Sequence, residues 1–276
     1  VSALRLAVAQ LPITGDARRN GAAVRALVER AAEGGARLVH FPEGTLSGYA
    51  KNPIMDWAEV DWSVVRQELE ALLALAKQRK IWITIGSAHP LTPPHRPHNS
   101  LYIVSDEGEL VDRYDKRYCS FTETTQFYTP GRHAVTFEVD GYRFGCLICV
   151  ELNFPELLMD YDAKGVDCVL LSAYPIDKVF LLKARAHAAL HNFWVSLSVP
   201  TECVDLMRSG LIGPEGDLLC EVETDVGLVF HDLDRLAPEW DIAFRKARPW
   251  RAVAGTGEFY RPYLIDDPRS DDKTGL

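Results

Sequence analysis

The chain has 276 residues, 47% of them hydrophobic, and sets 30 Lys and Arg against 39 Asp and Glu for a net charge of −9. With no dense basic run, that charge argues against a phosphate-binding surface for nucleic acid. No apolar stretch approaches the ~20 residues that cross a bilayer, and the length suits one large α/β domain with a sizeable core.

Residues 4–11, LRLAVAQL, read as a buried opening strand; the start lacks a basic leader region and a cleavage site, so it reads as strand and not as signal peptide. A helix over 20–36 closes on glycines, a strand follows at 37–41, a second helix spans 62–80, and a strand returns at 81–88. This βαβαβ order predicts helices packed on a sheet. Residues 99–116 then read as two strands around Asp-Glu-Gly, and 134–149 as two more around Asp140-Gly141, a strong hairpin signal. The later half repeats the theme: strand 168–173, helix 180–192, strand 193–199, a hairpin around 213–217 and a strand at 227–233. No Pro/Gly/Ser-rich linker divides the chain, and HPLTPPHRPHN (89–99) reads as a local loop. The expectation is one domain over 1–276 with a mixed sheet and a C-terminal tail from about 248, loose or packed on a partner subunit.

Six cysteines (119, 146, 149, 168, 203 and 220) lie scattered without a framework spacing, which predicts reduced thiols and a cytoplasmic protein. In YRFGCLICVELNFPEL, Cys146 and Cys149 are three apart on a strand, so they point to opposite faces and cannot clamp one metal. No second Cys/His pair completes a zinc site, and a redox Cys-x-x-Cys normally opens a helix, whereas Cys146 sits mid-strand. Cys149 ends the strand, just before Pro155 and Glu156, which suit a helix start. A thiol at such a bend faces free backbone N–H groups; on this stretch alone a small core residue and a reactive nucleophile remain equal readings.

Two other strand ends carry chemistry. RLVHFPEG runs an apolar strand into Glu43, and a buried carboxylate there acquires the raised pKa a general base needs. LVDRYDKRY ends a strand at Lys116, an ammonium able to stabilise developing negative charge. Singly, each reads as a solvated surface charge; together with Cys149 they mark the strand ends where open α/β sheets bind ligands.

These segments resemble the nitrilase superfamily of carbon–nitrogen hydrolases over about residues 4–235. FPEGTLSGY is similar to the segment bearing that family's base, NSLYIVSDEGELVDRYDKRY to the hairpin reaching its lysine, and FGCLICVELNFPEL to its nucleophile segment. ETTQFYTPG resembles the segment with a second acid, and SGLIGPEGDLL a later hairpin. The resemblance implies a four-layer α-β-β-α sandwich with mixed sheets and a Glu43-Lys116-Cys149 triad. It also implies a second acid, Glu123, beside the lysine, an oxyanion donor at the Val150 backbone N–H, and pairing into homodimers or larger homo-oligomers. It implies hydrolysis of a small-molecule amide through a thioester with no metal or organic cofactor, and leaves Cys146 as core.

The sequence departs from the family where Val150-Glu151 follows the nucleophile. Nitrilases proper carry Trp-Glu and many amidases Tyr-Asp there, which favours an amide over a nitrile and leaves an N-carbamoyl compound as an alternative. His191 stands where many relatives have Glu; His187 and His191, i and i+4, read as packing or surface in preference to a ligand pair. Tyr49, Tyr174 and Trp194 are candidate pocket walls, and Arg117 or Arg132 a candidate anchor for an acidic substrate. A two-carboxylate glycosidase using Glu43 and Glu151 leaves Lys116 and Cys149 without roles. A binding or scaffold protein of the same fold is the non-enzymatic reading. Gly-x-Ser-x-Gly, phosphate-loop and dinucleotide motifs are absent.

Overall fold

The computed structural model describes residues 3–274. The chain divides into two compact units, residues 1–235 and residues 236–276.

The first unit holds two six-stranded mixed sheets. One runs in the order β12 (Gly227–Leu233), β1 (Leu4–Gln10), β2 (Leu38–His40), β3 (Trp82–His89), β4 (His98–Val104) and β5 (Leu110–Asp115). The other runs β11 (Leu218–Glu221), β10 (Gly210–Ile212), β9 (Trp194–Ser198), β8 (Cys168–Ser172), β7 (Tyr142–Ile148) and β6 (Thr136–Val139). In each, three central strands are parallel and the flanking ones antiparallel.

Strand period two sorts side chains into layers. Ala7, Ala9, Val39, Ile83 and Ile85 meet α1 (Ala17–Glu33) and α2 (Trp62–Arg79) in one core. Leu147, Val169, Leu171, Val195 and Leu197 meet α3 (Pro155–Ala163) and α4 (Val179–His191) in another. The alternate residues bridge the sheets: His40 in β2 lies 2.8 Å from both Ser172 of β8 and Ser196 of β9, and Ser198 Oγ donates to the Ala9 carbonyl at 2.8 Å. The unit is a four-layer α-β-β-α sandwich.

Helix ends follow their caps. The Asp16 carboxylate accepts from the Arg18 and Arg19 N–H groups, which starts α1 three residues ahead of the apolar period. Val24, Leu27, Val28 and Ala31 then fill one face, each fully buried Val or Leu stabilising by about 1.5–3 kcal/mol. Asp61 caps α2 in the same way. The second unit carries two short helices that hydrophobic periodicity did not announce, α5 (Arg248–Ala254) and α6 (Pro268–Asp271). Its Trp250 packs edge-on against Phe259, centroids 4.8 Å apart. Among the described residues no helix is long and apolar enough to cross a membrane.

Candidate active site

Glu43 lies three residues beyond β2, Lys116 directly beyond β5 and Cys149 directly beyond β7. Gly86 of β3 lets the Pro42-Glu43 segment lie against the sheet: a Cβ there would come 2.2 Å from the Pro42 carbonyl oxygen and 2.9 Å from the Glu43 Cα. Taken singly the two charges read as surface groups, but both are buried, Glu43 at 0% and Lys116 at 1% exposure. Burial is tolerable because the charges are paired.

Lys116 Nζ donates to Glu43 Oε1 at 3.1 Å and to Glu123 Oε1 at 2.8 Å. Glu43 Oε1 also accepts from Asn99 Nδ2 at 2.7 Å, and Glu43 Oε2 accepts from the Tyr174 N–H at 3.0 Å. Glu123, on the turn Glu123–Phe127, is held by the Ser120 N–H at 2.7 Å. The nucleophile candidate meets this chain through Tyr174, whose carbonyl oxygen accepts from the Cys149 thiol at 3.7 Å.

Electrostatics divide the roles. Burial pushes the Glu43 carboxyl up, the Glu123 charge adds to this, and Lys116 and Asn99 oppose it. Burial works against charge on Glu123 too, yet Lys116 and the Ser120 N–H hold that acid below its ordinary range. Burial also works against the ammonium of Lys116, but its two carboxylates raise it well above the usual lysine value. Burial and the Glu43 charge push the Cys149 thiol up, so the resting sulfur keeps its proton and needs a base to remove it. Of the two acids, Glu43 is the one whose proton affinity burial raises, the direction a proton acceptor requires.

Cys149 retains partial solvent access and adopts a left-handed backbone with φ of 50°. For a residue with a Cβ this costs about 1–2 kcal/mol and needs surrounding structure to hold it. The strain turns the chain from β7 into a short 3-10 turn, Cys149–Asn153, ahead of α3. Val150, the expected oxyanion donor, is the second residue of that turn and half-exposed, where backbone amides lack intrahelical partners. Cys146 stays in β7, fully buried.

Tyr49 and Tyr174 stack with centroids 4.3 Å apart, both half-buried. Burial, then the Glu43 charge, raise the Tyr49 hydroxyl beyond its usual range. Trp194 belongs instead to the interior: it is 0% exposed in β9, on the face that meets the other sheet. Arg117 is turned away from Glu43, its guanidinium 5.8 Å from the Tyr114 and Tyr161 ring centroids. Arg132 borders a separate cleft of about 370 Å³ with His95, His98, Asp115 and His133. His187 and His191 stack at 5.9 Å, with His191 Nδ1 3.2 Å from Asp162. Among the described residues no group of three or more His, Cys, Asp or Glu is arranged to hold a metal ion.

Sequence reasoning missed Asn99 and the bonding of Glu151. Asn99 carried a weak signal, a polar residue inside the strand that leads through the hairpin to Lys116.

One acid beyond a strand end, a second on the turn Glu123–Phe127, a lysine between them and a thiol on a strained turn are set on an α-β-β-α sandwich. The profile of the family described as carbon-nitrogen hydrolase matches residues 5–240, and the chain belongs to that family. Among curated relatives, the chloroplastic omega-amidase of Arabidopsis thaliana is 26% identical over 83% of this chain and 67% of its own length. The omega-amidase NIT2 of Homo sapiens is 24% identical over 85% of this chain and 90% of its own length. Among solved structures, an amidase from Nesterenkonia sp. AN1 superposes with a TM-score of 0.76 at 22% identity, over 95% of this chain and 100% of the other. A variant of that amidase, with TM-score 0.76, 22% identity and coverage of 95% and 97%, carries the acetamide moiety of fluoroacetamide on its active-site cysteine.

Proposed function

We propose that the protein hydrolyses the C–N bond of a small-molecule amide, with Cys149 as nucleophile, Glu43 as general base and acid, and Lys116 as oxyanion stabiliser. The observation that carries this reading is the buried hydrogen-bonded chain from Glu43 through Lys116 to Glu123, beside a thiol that keeps solvent access.

Glu43 takes the proton from the Cys149 sulfur as the sulfur adds to the carbonyl carbon. Lys116 Nζ and the Val150 N–H bear the negative oxygen of the tetrahedral state. The proton on Glu43 passes to the leaving nitrogen, the C–N bond breaks, and ammonia or an amine departs from a thioester. Glu43 then takes a proton from water, which adds to the thioester carbon; the sulfur leaves, regains a proton and frees the acid. Glu123 holds Lys116 charged and aimed, and the stacked Tyr49 and Tyr174 wall the approach to Cys149.

The omega-amidase relatives and the amidase adduct support an amide as the substrate class. A nitrile or an N-carbamoyl compound is the alternative within the same chemistry. A two-carboxylate glycosidase has no support, since Glu151 spends both oxygens on internal donors. Exposed Met159 on α3, with Leu182 and Leu190 on α4, supports a homodimer or larger homo-oligomer. All six cysteines are free, which supports a reducing, cytoplasmic setting.

The test is ammonia release across a panel of primary amides, omega-amides of dicarboxylic acids, N-carbamoyl compounds and nitriles, with intact-mass detection of an acyl adduct on Cys149. Turnover of amides, lost in Cys149→Ala, is expected. Silence across the panel with no adduct would favour a binding or scaffold protein; turnover surviving Cys149→Ala would refute the thioester route.

A further inference from the structure

Glu151 is 0% exposed, two residues past the nucleophile candidate, and takes no part in the route above. Its Oε2 accepts from the Ile148 N–H at 2.8 Å, the residue immediately before Cys149. Its Oε1 accepts from the Arg117 N–H at 2.7 Å, the Tyr118 N–H at 3.1 Å and the Tyr114 hydroxyl at 2.7 Å. The first two are the residues immediately after Lys116, and Tyr114 sits two before it. One side chain therefore binds backbone N–H groups of both the nucleophile segment and the lysine loop, more than 30 positions apart.

Three of these groups are backbone N–H donors and the fourth is a hydroxyl that donates here, so a carboxylate fits the site and an added proton would face an N–H donor at the Ile148 side and two on the lysine side. The left-handed backbone of Cys149 needs a restraint, and the bond from Ile148 N–H to Glu151 supplies one on the preceding peptide. Lys116 is fixed at its own backbone by Lys116 N–H to Asn99 O at 2.8 Å and Gly131 N–H to Lys116 O at 2.8 Å. Among the described residues, Glu151 carries side-chain hydrogen bonds that join that loop directly to the segment bearing the sulfur.

We propose that Glu151 is a positioning residue that sets the separation of the Lys116 ammonium from the Cys149 sulfur and from the oxyanion position beside Val150. The inference rests on the amidase reading for the roles of those groups. Oxyanion stabilisation is geometric, and a displacement of about 1 Å costs on the order of a hundredfold in rate. Glutamine at this position has the same shape but turns an amide N–H₂ toward the Ile148 N–H or toward the Arg117 and Tyr118 N–H groups on the lysine side. Donor then meets donor, and the two segments separate.

The test uses the full chain with Glu151→Gln, and Val28→Ala in the outer helix α1 as a stability control. Steady-state amide hydrolysis is normalised to sites titrated by iodoacetamide, with the labelled cysteine located by peptide mass. For Glu151→Gln, kcat per titrated site is expected to fall about tenfold or more with KM within about threefold, while Val28→Ala keeps wild-type kcat per site. The pH midpoint of Cys149 alkylation gives a readout independent of turnover. Losing the Glu151 charge alone lowers that midpoint, because a nearby negative charge raises a thiol pKa; loosening Lys116 raises it. A midpoint raised by about half a pH unit or more supports positioning. An unchanged or lowered midpoint, or a kcat per site within about twofold of wild type, overturns it. If the wild-type protein turns over no amide at all, the amidase reading fails and the alkylation midpoint still decides the role of Glu151.

Discussion

His40 makes the sandwich acid-sensitive in a way that can be worked out from its contacts. Ser172 Oγ donates to the Phe41 carbonyl at 2.8 Å, so it accepts from His40 Nε2–H, and Nδ1 is left to accept from the Ser196 hydroxyl. The neutral ring is satisfied on both sides, whereas a second ring proton would face the Ser196 hydroxyl at 0% exposure with no carboxylate bonded to either nitrogen. Burial lowers the His40 pKa from 6.5 to about 3. Below 6.5 the unfolded chain binds this proton and the folded chain does not, so stability falls on acidification and the loss is complete near pH 3. At about 1.4 kcal/mol per factor of ten in proton affinity, the full interval is worth about 5 kcal/mol and the part reached by pH 4 about 3 kcal/mol. Against a total of about 5–15 kcal/mol for a folded protein, that is decisive. Urea unfolding of the wild type and of His40→Gln at pH 7 and pH 4 isolates the effect, since the other titrating groups are common to both. The variant is expected to start less stable and to lose about 3 kcal/mol less between the two pH values. Equal losses in the two proteins, within about 1 kcal/mol, would refute the buried-neutral account.

The catalytic assignments give three further expectations. Because Glu43 is raised by burial, kcat/KM falls on acidification through a midpoint above the ordinary carboxylate range, and Glu43→Gln lowers kcat by about 10²–10⁴ while removing that limb from the pH–rate profile. Glu123→Gln keeps the Lys116 contact to Glu43 but weakens one of its two charge pairs; a fall in kcat of about ten- to a hundredfold, with Cys149 still open to alkylation, is expected from steady-state kinetics and mass spectrometry. Gly86→Ala drives a methyl into the Pro42 carbonyl and the Glu43 backbone, and is expected to cost about 1–3 kcal/mol and more than a hundredfold in kcat; wild-type kcat in a folded Gly86→Ala protein would show that Glu43 does not depend on this close approach.

What the sequence determined by itself was whatever depends on local period and order. Alternation placed Cys146 on one face of β7 and freed Cys149 at its end, and Asp140-Gly141 marked the hairpin ahead of it. The segments around Glu43, Lys116, Glu123 and Cys149 were legible because their residue order is specific to one family. The tertiary structure decided everything that depends on direction through space. Glu43 and Lys116 look like surface charges along the chain and become an interior ion pair only when two sheets close over them. Arg117 lies next to Lys116 in sequence, yet its guanidinium lies over Tyr114 and Tyr161 while Lys116 Nζ turns to Glu43 and Glu123. Asn99 and Glu151 acquire their roles from donors and acceptors 34 to 56 positions distant. No local pattern encodes such pairings; they follow from the requirement that each buried polar group find a partner in whatever packing the cores allow.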